Sequence, residues 1–261
     1  MTQILLRADS HPYLADHEIA GTPVVPMALV LEWFARSAAA WSDCPEPLVL
    51  RRISVLRKLT LNGFHTDGDR FTVHRQVTGP DLAITLVDGE GIPHYRTTVT
   101  TDNTPEPDEI WAVPIGLRPP SRSDTYDGRV LFHGPAFRAI KRVHGISPSG
   151  AVGVVTGTAE LGWPGCDWRT DPPAVDGGLQ LAVLWAEQVI GAATLPMSIR
   201  EFRVHQPGPL PGPLRCFVRR RRAESLYAEC DIGFVGVDGR PRLELTGVSL
   251  IVRPDLGGAT T

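Results

Sequence analysis

His17-Glu18-Ile19-Ala20-Gly21-Thr22-Pro23-Val24-Val25-Pro26 runs directly into Met27-Ala28-Leu29-Val30-Leu31-Glu32-Trp33-Phe34-Ala35-Arg36-Ser37-Ala38-Ala39-Ala40. Gly21 lets the backbone take a positive φ or approach a ligand closely, and Pro26 carries the fixed φ that suits the first position of a helix. The run after Pro26 therefore reads as helical. Its only charges, Glu32 and Arg36, stand four apart and can pair on one exposed stripe, while Leu29, Val30, Leu31, Trp33 and Phe34 cover most of the remaining circumference. The helix is expected in the core, wrapped by sheet, with His17 at its buried start.

A chain of 261 residues can bury a large core as one domain or as two fused domains. Its 42% hydrophobic and 21% charged residues describe a soluble globular protein, and no uncharged apolar run is long enough to span a bilayer. Met1-Thr2-Gln3-Ile4-Leu5-Leu6-Arg7 has no secretory pattern, so a cytoplasmic location is expected. A formal net charge of −3 gives no argument for a polyanion, and no nucleic-acid partner is expected. Cys44, Cys166, Cys216 and Cys230 are scattered with no Cys-x-x-Cys and no nearby histidine, which reads as reduced buried thiols.

The order of elements occurs twice. After the helix come a turn-rich connection at Asp43-Cys44-Pro45-Glu46-Pro47, strand signals in Leu48 to Leu61 and Arg70 to Val77, and a hairpin of Leu82–Val87 with Tyr95–Thr101 about Asp88-Gly89. A proline-rich stretch, 104–123, reads as a semi-rigid linker, part of it packed through Ile110, Trp111 and Val113. Strand signals follow in Val130 to Val143 and Ala151 to Thr158, then a mostly apolar helix from Ala174 to Ile190 ending at Gly191. Further strands read at Ser198–His205, Leu214–Arg221, Tyr227–Val235 and Leu243–Val252, the last two joined about Asp238-Gly239. The repeat divides the chain into 1–103, the linker 104–123, a second unit 124–256 and a disordered tail 257–261.

In the second helix Asp176 and Gln180 are four apart, hence on one face. An aspartate near a helix start is commonly a cap or a dipole partner; in this apolar setting the alternative is a carboxyl that finds a partner or raises its pKa. His-x-x-x-Gly-x-x-x-x-Pro from His17 to Pro26, Asp-x-x-x-Gln from Asp176 to Gln180, and Gly134-Pro135-Ala136-Phe137 together resemble the dehydratase domains of polyketide and polyunsaturated fatty acid synthases, over about His11 to Val252. The resemblance implies an α+β double hotdog, two fused antiparallel sheets each wrapping one long central helix. Val24-Val25-Pro26-Met27 with Leu31-Glu32-Trp33-Phe34-Ala35, and Leu131-Phe132-His133-Gly134-Pro135, are most similar to the polyunsaturated fatty acid and iterative enediyne-type subgroup. Many modular relatives carry Tyr where this chain has His133, which puts any role of that hydroxyl in doubt.

What the resemblance implies chemically is dehydration of a 3-hydroxyacyl thioester held on the phosphopantetheine of an acyl carrier protein, as a hydro-lyase. Neutral His17 takes the C2 proton, protonated Asp176 gives a proton to the C3 hydroxyl, and Gln180 orients Asp176. A backbone N–H near Val25 or Met27 faces the thioester oxygen, since Pro26 cannot donate. Gly21, Val25, Pro26, Met27, His133, Gly134 and Pro135 are expected around the substrate. No metal, nucleotide or flavin is expected, because no phosphate loop or clustered ligand set is present. The expected partners are the carrier protein and other synthase domains, with no membrane and with monomer and homodimer both open. His11, His65, His74, His94, His144 and His205 read as surface or strand histidines. Arg219-Arg220-Arg221-Arg222 reads as a solvated strand face ahead of a docking patch for an acidic carrier. A double-bond isomerase or product-shaping hotdog is the alternative, and a non-catalytic carrier-docking domain a further one.

Overall fold

The computed structural model describes residues 1–41, 47–100, 111–120, 124–165 and 167–253. Helix α1, Met27–Ala39, begins behind Pro26, which stands at the N-cap with φ −69° and ψ 146°, one place earlier than its fixed φ suggested. Leu29, Leu31 and Phe34 are fully buried, each stabilising the fold by roughly 1.5–3 kcal/mol. Glu32 departs from the expected exposed stripe. It too is fully buried, and its carboxylate accepts the backbone N–H groups of Arg169 and Thr170, while Arg36 alone faces solvent.

Around α1 come strands β1 (Thr2–Leu6), β2 (Glu18–Ile19), β3 (Thr22–Pro23), β4 (Leu48–Val55), β5 (Asp69–Thr78), β6 (Asp81–Asp88) and β7 (Pro93–Thr100). The later half holds β8 (Ile140–Ser147), β9 (Gly150–Val155), a single turn α2 (Thr158–Leu161), the long helix α3 (Pro172–Ile190), β10 (Thr194–Val204), β11 (Leu214–Ala223), β12 (Tyr227–Val235) and β13 (Pro241–Val252). Helix α1 packs on β4 to β7, α3 packs on β8 to β13, and the two helices touch. The expected two sheets are joined edge to edge: β4 pairs with β10, Leu50 opposite Phe202 and Ile53 opposite Ile199. The result is one antiparallel sheet of eleven strands in the order β1-β5-β6-β7-β4-β10-β13-β12-β11-β9-β8, with one apolar core running through both halves.

Helix α3 is capped by the Asp171 carboxylate, which accepts the Ala174 N–H, and it closes at Gly191 with φ +83°. Two glycines inside it cost helix propensity but permit close packing. A Cβ on Gly178 would stand 2.3 Å from the Phe234 ring, and one on Gly177 would stand 2.8 Å from Ala139 Cβ. This lets the Asp176 turn lie directly on the sheet.

Some sequence expectations shift. The expected strand from Val130 to Val143 begins only at Ile140, because Pro135–Phe137 form a 3-10 turn. The strand expected over Leu48 to Leu61 ends at Val55. Within the linker, Trp111 is buried and donates to Glu244 Oε1 at 2.7 Å, whereas Val113 is exposed; 104–110, including Ile110, and 121–123 lie outside the described residues. So do 43–46, Cys166 and the tail 257–261. Cys216 and Cys230 are buried free thiols. Arg219 and Arg221 share one strand face and both pair with the buried carboxylate of Asp231. Among the described residues no helix is long and apolar enough to cross a membrane.

Candidate active site

Two residues with positive φ, Ala20 at +53° and Gly21 at +77°, turn β2 back into β3 as a two-residue hairpin. That turn sets His17 against Val24. The Val24 N–H donates to the His17 carbonyl at 2.9 Å, and the imidazole Nδ1 lies 2.8 Å from the Val24 carbonyl. A carbonyl only accepts, so Nδ1 carries the proton and Nε2 is left bare. Burial pushes the His17 pKa down to about 4, against smaller opposing backbone hydrogen bonds. The ring is therefore neutral at ordinary pH, with its basic nitrogen free.

Asp176 comes from the first turns of α3. Its pKa is raised to about 7 by burial, opposed by a hydrogen bond from Gln180. The orientation of that amide is defined by its neighbours. The Ile140 N–H donates to the Tyr126 hydroxyl at 2.8 Å, and Tyr126 in turn donates to Gln180 Oε1 at 2.7 Å. Gln180 Nε2 is thus turned towards Asp176 Oδ2, 2.6 Å away, and the Phe137 carbonyl, 2.8 Å away. With Oδ2 occupied by a donor, the proton of the neutral acid belongs on Oδ1.

His133 faces both groups. Its Nε2 is 3.4 Å from Asp176 Oδ2, its ring stacks on Phe132 at 4.4 Å, and its ring centre is 5.2 Å from that of His17. Burial and the nearby His17 push its pKa well below the usual imidazole value. Asp16 holds this segment. Its carbonyl accepts the Gly134 N–H at 2.8 Å and its Oδ2 the Ala136 N–H at 2.7 Å. A Cβ at position 134 would stand 2.6 Å from Asp16 Oδ1, which is why glycine follows His133.

His17, His133, Asp176 and Gln180 line one cavity of about 280 Å³, walled by Met27, Leu131, Leu179 and Val183. Its exposed lining residues are Leu56, Arg57 and Lys58, so it opens beside the end of β4. Ligand atoms of His17, His133 and Asp176 lie within 4.8 Å of one another, and this set of two imidazoles and a carboxylate could also hold a divalent cation.

Of the residues expected around the substrate, Val25, Pro26, Met27 and His133 line the cavity. Gly21, Gly134 and Pro135 do not: Gly21 is exposed in the β2–β3 turn, Gly134 packs against Asp16, and Pro135 is exposed at the start of the 3-10 turn. The Val25 N–H is taken by the Leu59 carbonyl at 2.9 Å, whereas the Met27 N–H at the start of α1 has no acceptor among the described residues. Sequence reasoning missed Tyr126 and Asp16. Only the position of Asp16, directly before His17, could have marked it. Two histidines read as bland have carboxylate partners, His94 with Asp88 at 3.0 Å and His205 with Glu244 at 2.6 Å, both away from the cavity.

The chain is 26% identical over 234 residues to a polyunsaturated fatty acid synthase polypeptide of Thraustochytrium sp., covering 84% of this chain and 8% of that protein. It therefore corresponds to a small part of that relative's length. Among solved structures, the dehydratase domain of a mycocerosic acid synthase-like polyketide synthase shares 19% identity with a TM-score of 0.75, covering 96% of this chain and 89% of that one. The dehydratase domain from the CurF module of curacin polyketide synthase shares 18% identity with a TM-score of 0.76, covering 96% and 92%. Both likenesses carry the double-hotdog fold. Residues 2–85 match the family described as "Polyketide synthase dehydratase domain", and residues 106–257 match "Polyketide synthase dehydratase N-terminal domain". Since the second match alone takes in more than half of the sequence and the first includes the segment around His17, the chain belongs to the polyketide synthase dehydratase family.

Proposed function

We propose that this chain removes water from a 3-hydroxyacyl thioester, giving the 2-enoyl thioester, during polyketide or polyunsaturated fatty acid assembly. The observation that carries the reading is the pair of opposite protonation states in one cavity: a neutral imidazole with a bare Nε2 at His17, and a carboxyl at Asp176 that keeps its proton up to about pH 7. Such a base and acid divide the two proton transfers that dehydration needs.

His17 Nε2 takes the C2 proton. As negative charge builds on the thioester oxygen, the Met27 N–H, at the positive end of α1, is available to receive it. The C3–O bond then breaks, and the Asp176 proton leaves with the oxygen as water. Gln180, held by Tyr126, keeps Asp176 turned for this transfer. Arg57 and Lys58 at the mouth suit the phosphodiester of a phosphopantetheine arm and the acidic surface of a carrier protein. The carrier and neighbouring synthase domains are the partners this reading calls for.

The test is mass spectrometry of a 3-hydroxyacyl pantetheine thioester incubated with wild type, His17→Ala and Asp176→Asn. Loss of one water with wild type alone is the expected result. Turnover retained by either folded variant would overturn the assignment, and a shifted double bond without a mass change would make the protein an isomerase.

A further inference from the structure

The position of His133 goes beyond what the His17–Asp176 pair requires. Its Nδ1 is buried with no partner among the described residues, whereas its Nε2 faces Asp176 Oδ2 at 3.4 Å. A bare acceptor buried without a partner is tolerated more readily than an orphaned N–H, so the proton of the neutral ring sits on Nε2. His17 has the opposite tautomer, with Nδ1 protonated and bound to the Val24 carbonyl. Two imidazoles with ring centres 5.2 Å apart thus offer the cavity different things, one a lone pair and the other an N–H.

The distance of 3.4 Å matters in its own right. It is too long for a good N–H···O bond between His133 and Asp176, yet short enough for both groups to reach a third atom at ordinary hydrogen-bond lengths. Oδ1, which carries the Asp176 proton, belongs to the same carboxyl as the Oδ2 that His133 faces, so an oxygen taking that proton on the His133 side of the carboxyl can also receive the His133 N–H. The ring is held there by its stack on Phe132 and by the two bonds from Gly134 and Ala136 to Asp16.

We propose that His133 is a second hydrogen-bond donor to the departing oxygen, and that the substrate's 3-hydroxyl is bound between the Asp176 carboxyl and the His133 Nε2–H. The inference rests on the dehydratase reading above. In the step, the C2–H bond breaks to His17 Nε2, its electron pair forms the C2=C3 bond, and the C3–O bond breaks. The oxygen takes the Asp176 proton and departs as water. His133 keeps its proton throughout, and its N–H stabilises the charge that builds on the oxygen before transfer is complete. The imidazolium of His17 and the carboxylate of Asp176 then exchange protons with water to restore the starting state.

The test compares His133→Phe, which keeps the stack on Phe132 but has no donor, with His133→Gln, whose amide N–H can replace the lost donor. His133→Leu serves as a second donor-free variant should the Phe form melt before assay. The expected result is a fall in kcat of about 10²-fold for the donor-free variant, with KM little changed and most of the loss recovered in His133→Gln. A 3-chloroacyl pantetheine thioester separates donor from scaffold, because chloride departs without a proton while His17 still removes the C2 proton. His133→Phe should slow this elimination far less than it slows dehydration. Equal slowing of both substrates, equal rates for the Phe and Gln variants, or full dehydration without a donor would each overturn the proposal. Absence of dehydration by wild type would instead remove the reading beneath it.

Discussion

Thr170 places both its backbone N–H and its hydroxyl on one oxygen of Glu32, each at 2.7 Å, across 138 residues of sequence. Glu32 belongs to α1, which follows the hairpin that holds His17, and Thr170 leads into α3, which carries Asp176, so the bond ties together the two segments that meet at the cavity. Burial pushes the Glu32 pKa up, and the donors from Arg169 and Thr170 together with the Arg36 charge oppose that shift. Glu32→Ala would leave these donors unpaired in an apolar interior. A destabilisation of about 3 kcal/mol and a roughly tenfold loss of kcat are expected, with Glu32→Gln intermediate. Thermal melts and dehydration rates check this, and an unchanged melting temperature in the alanine variant would refute it.

The catalytic pH profile follows from the same two groups. The proposed dehydration uses His17 neutral and Asp176 protonated, so activity is expected to fall as pH drops through about 4 and as it rises through about 7. A bell-shaped kcat/KM with limbs near those values is expected. Bound substrate excludes water from Asp176, so the alkaline limb of kcat should lie above that of kcat/KM. An alkaline limb that survives unchanged in Asp176→Asn would assign it to another group.

The same carboxyl costs stability. Its folded-state pKa is raised from 3.8 to about 7 by burial, so the native state favours the protonated form. Its stabilising contribution is complete below the unfolded value of 3.8 and is lost as pH rises through about 7. Asp176→Asn should therefore be more stable than wild type at pH 8, by a difference on the order of 4 kcal/mol that shrinks towards acid pH. Denaturant unfolding at several pH values measures it, and a pH-independent difference would contradict it.

The hairpin turn offers a second trade. Ala20 is exposed and holds φ +53°, a left-handed conformation that an L side chain adopts at a cost of about 1–2 kcal/mol. Ala20→Asn creates the Asn-Gly pair favoured in such turns and should stabilise the fold by up to about 1 kcal/mol, while Ala20→Val should destabilise it. Urea midpoints of the two variants decide this.

Helix α1, helix α3 and the hairpins about Asp88-Gly89 and Asp238-Gly239 were legible because each is written locally, in apolar periodicity or in turn residues. His17, Asp176 and Gln180 were legible through their motif spacing. Glu32 was misread for the opposite reason: Arg36 stood at pairing distance in sequence, but the donors that hold Glu32 come from Arg169 and Thr170. Tyr126 reaches Gln180 across 54 residues, and nothing near it in sequence announces the contact. The segment before Ile140 looked strand-like by composition, yet Gly134 and Pro135 fold it onto Asp16 instead. Long-range hydrogen bonds to buried carboxylates are what local patterns do not show.

The pairing of β4 with β10 carries a mechanical consequence. His17 and Asp176 come from opposite halves of the chain, and those halves are joined by backbone pairing from Leu48 opposite Val204 to Ser54 opposite Ser198, interrupted only at Arg52, where φ is +53°. Their spacing is thus built into the frame, like two jaws cut from one casting. A molecule entering the cavity passes Arg57 and Lys58, because paired backbone joins the two halves.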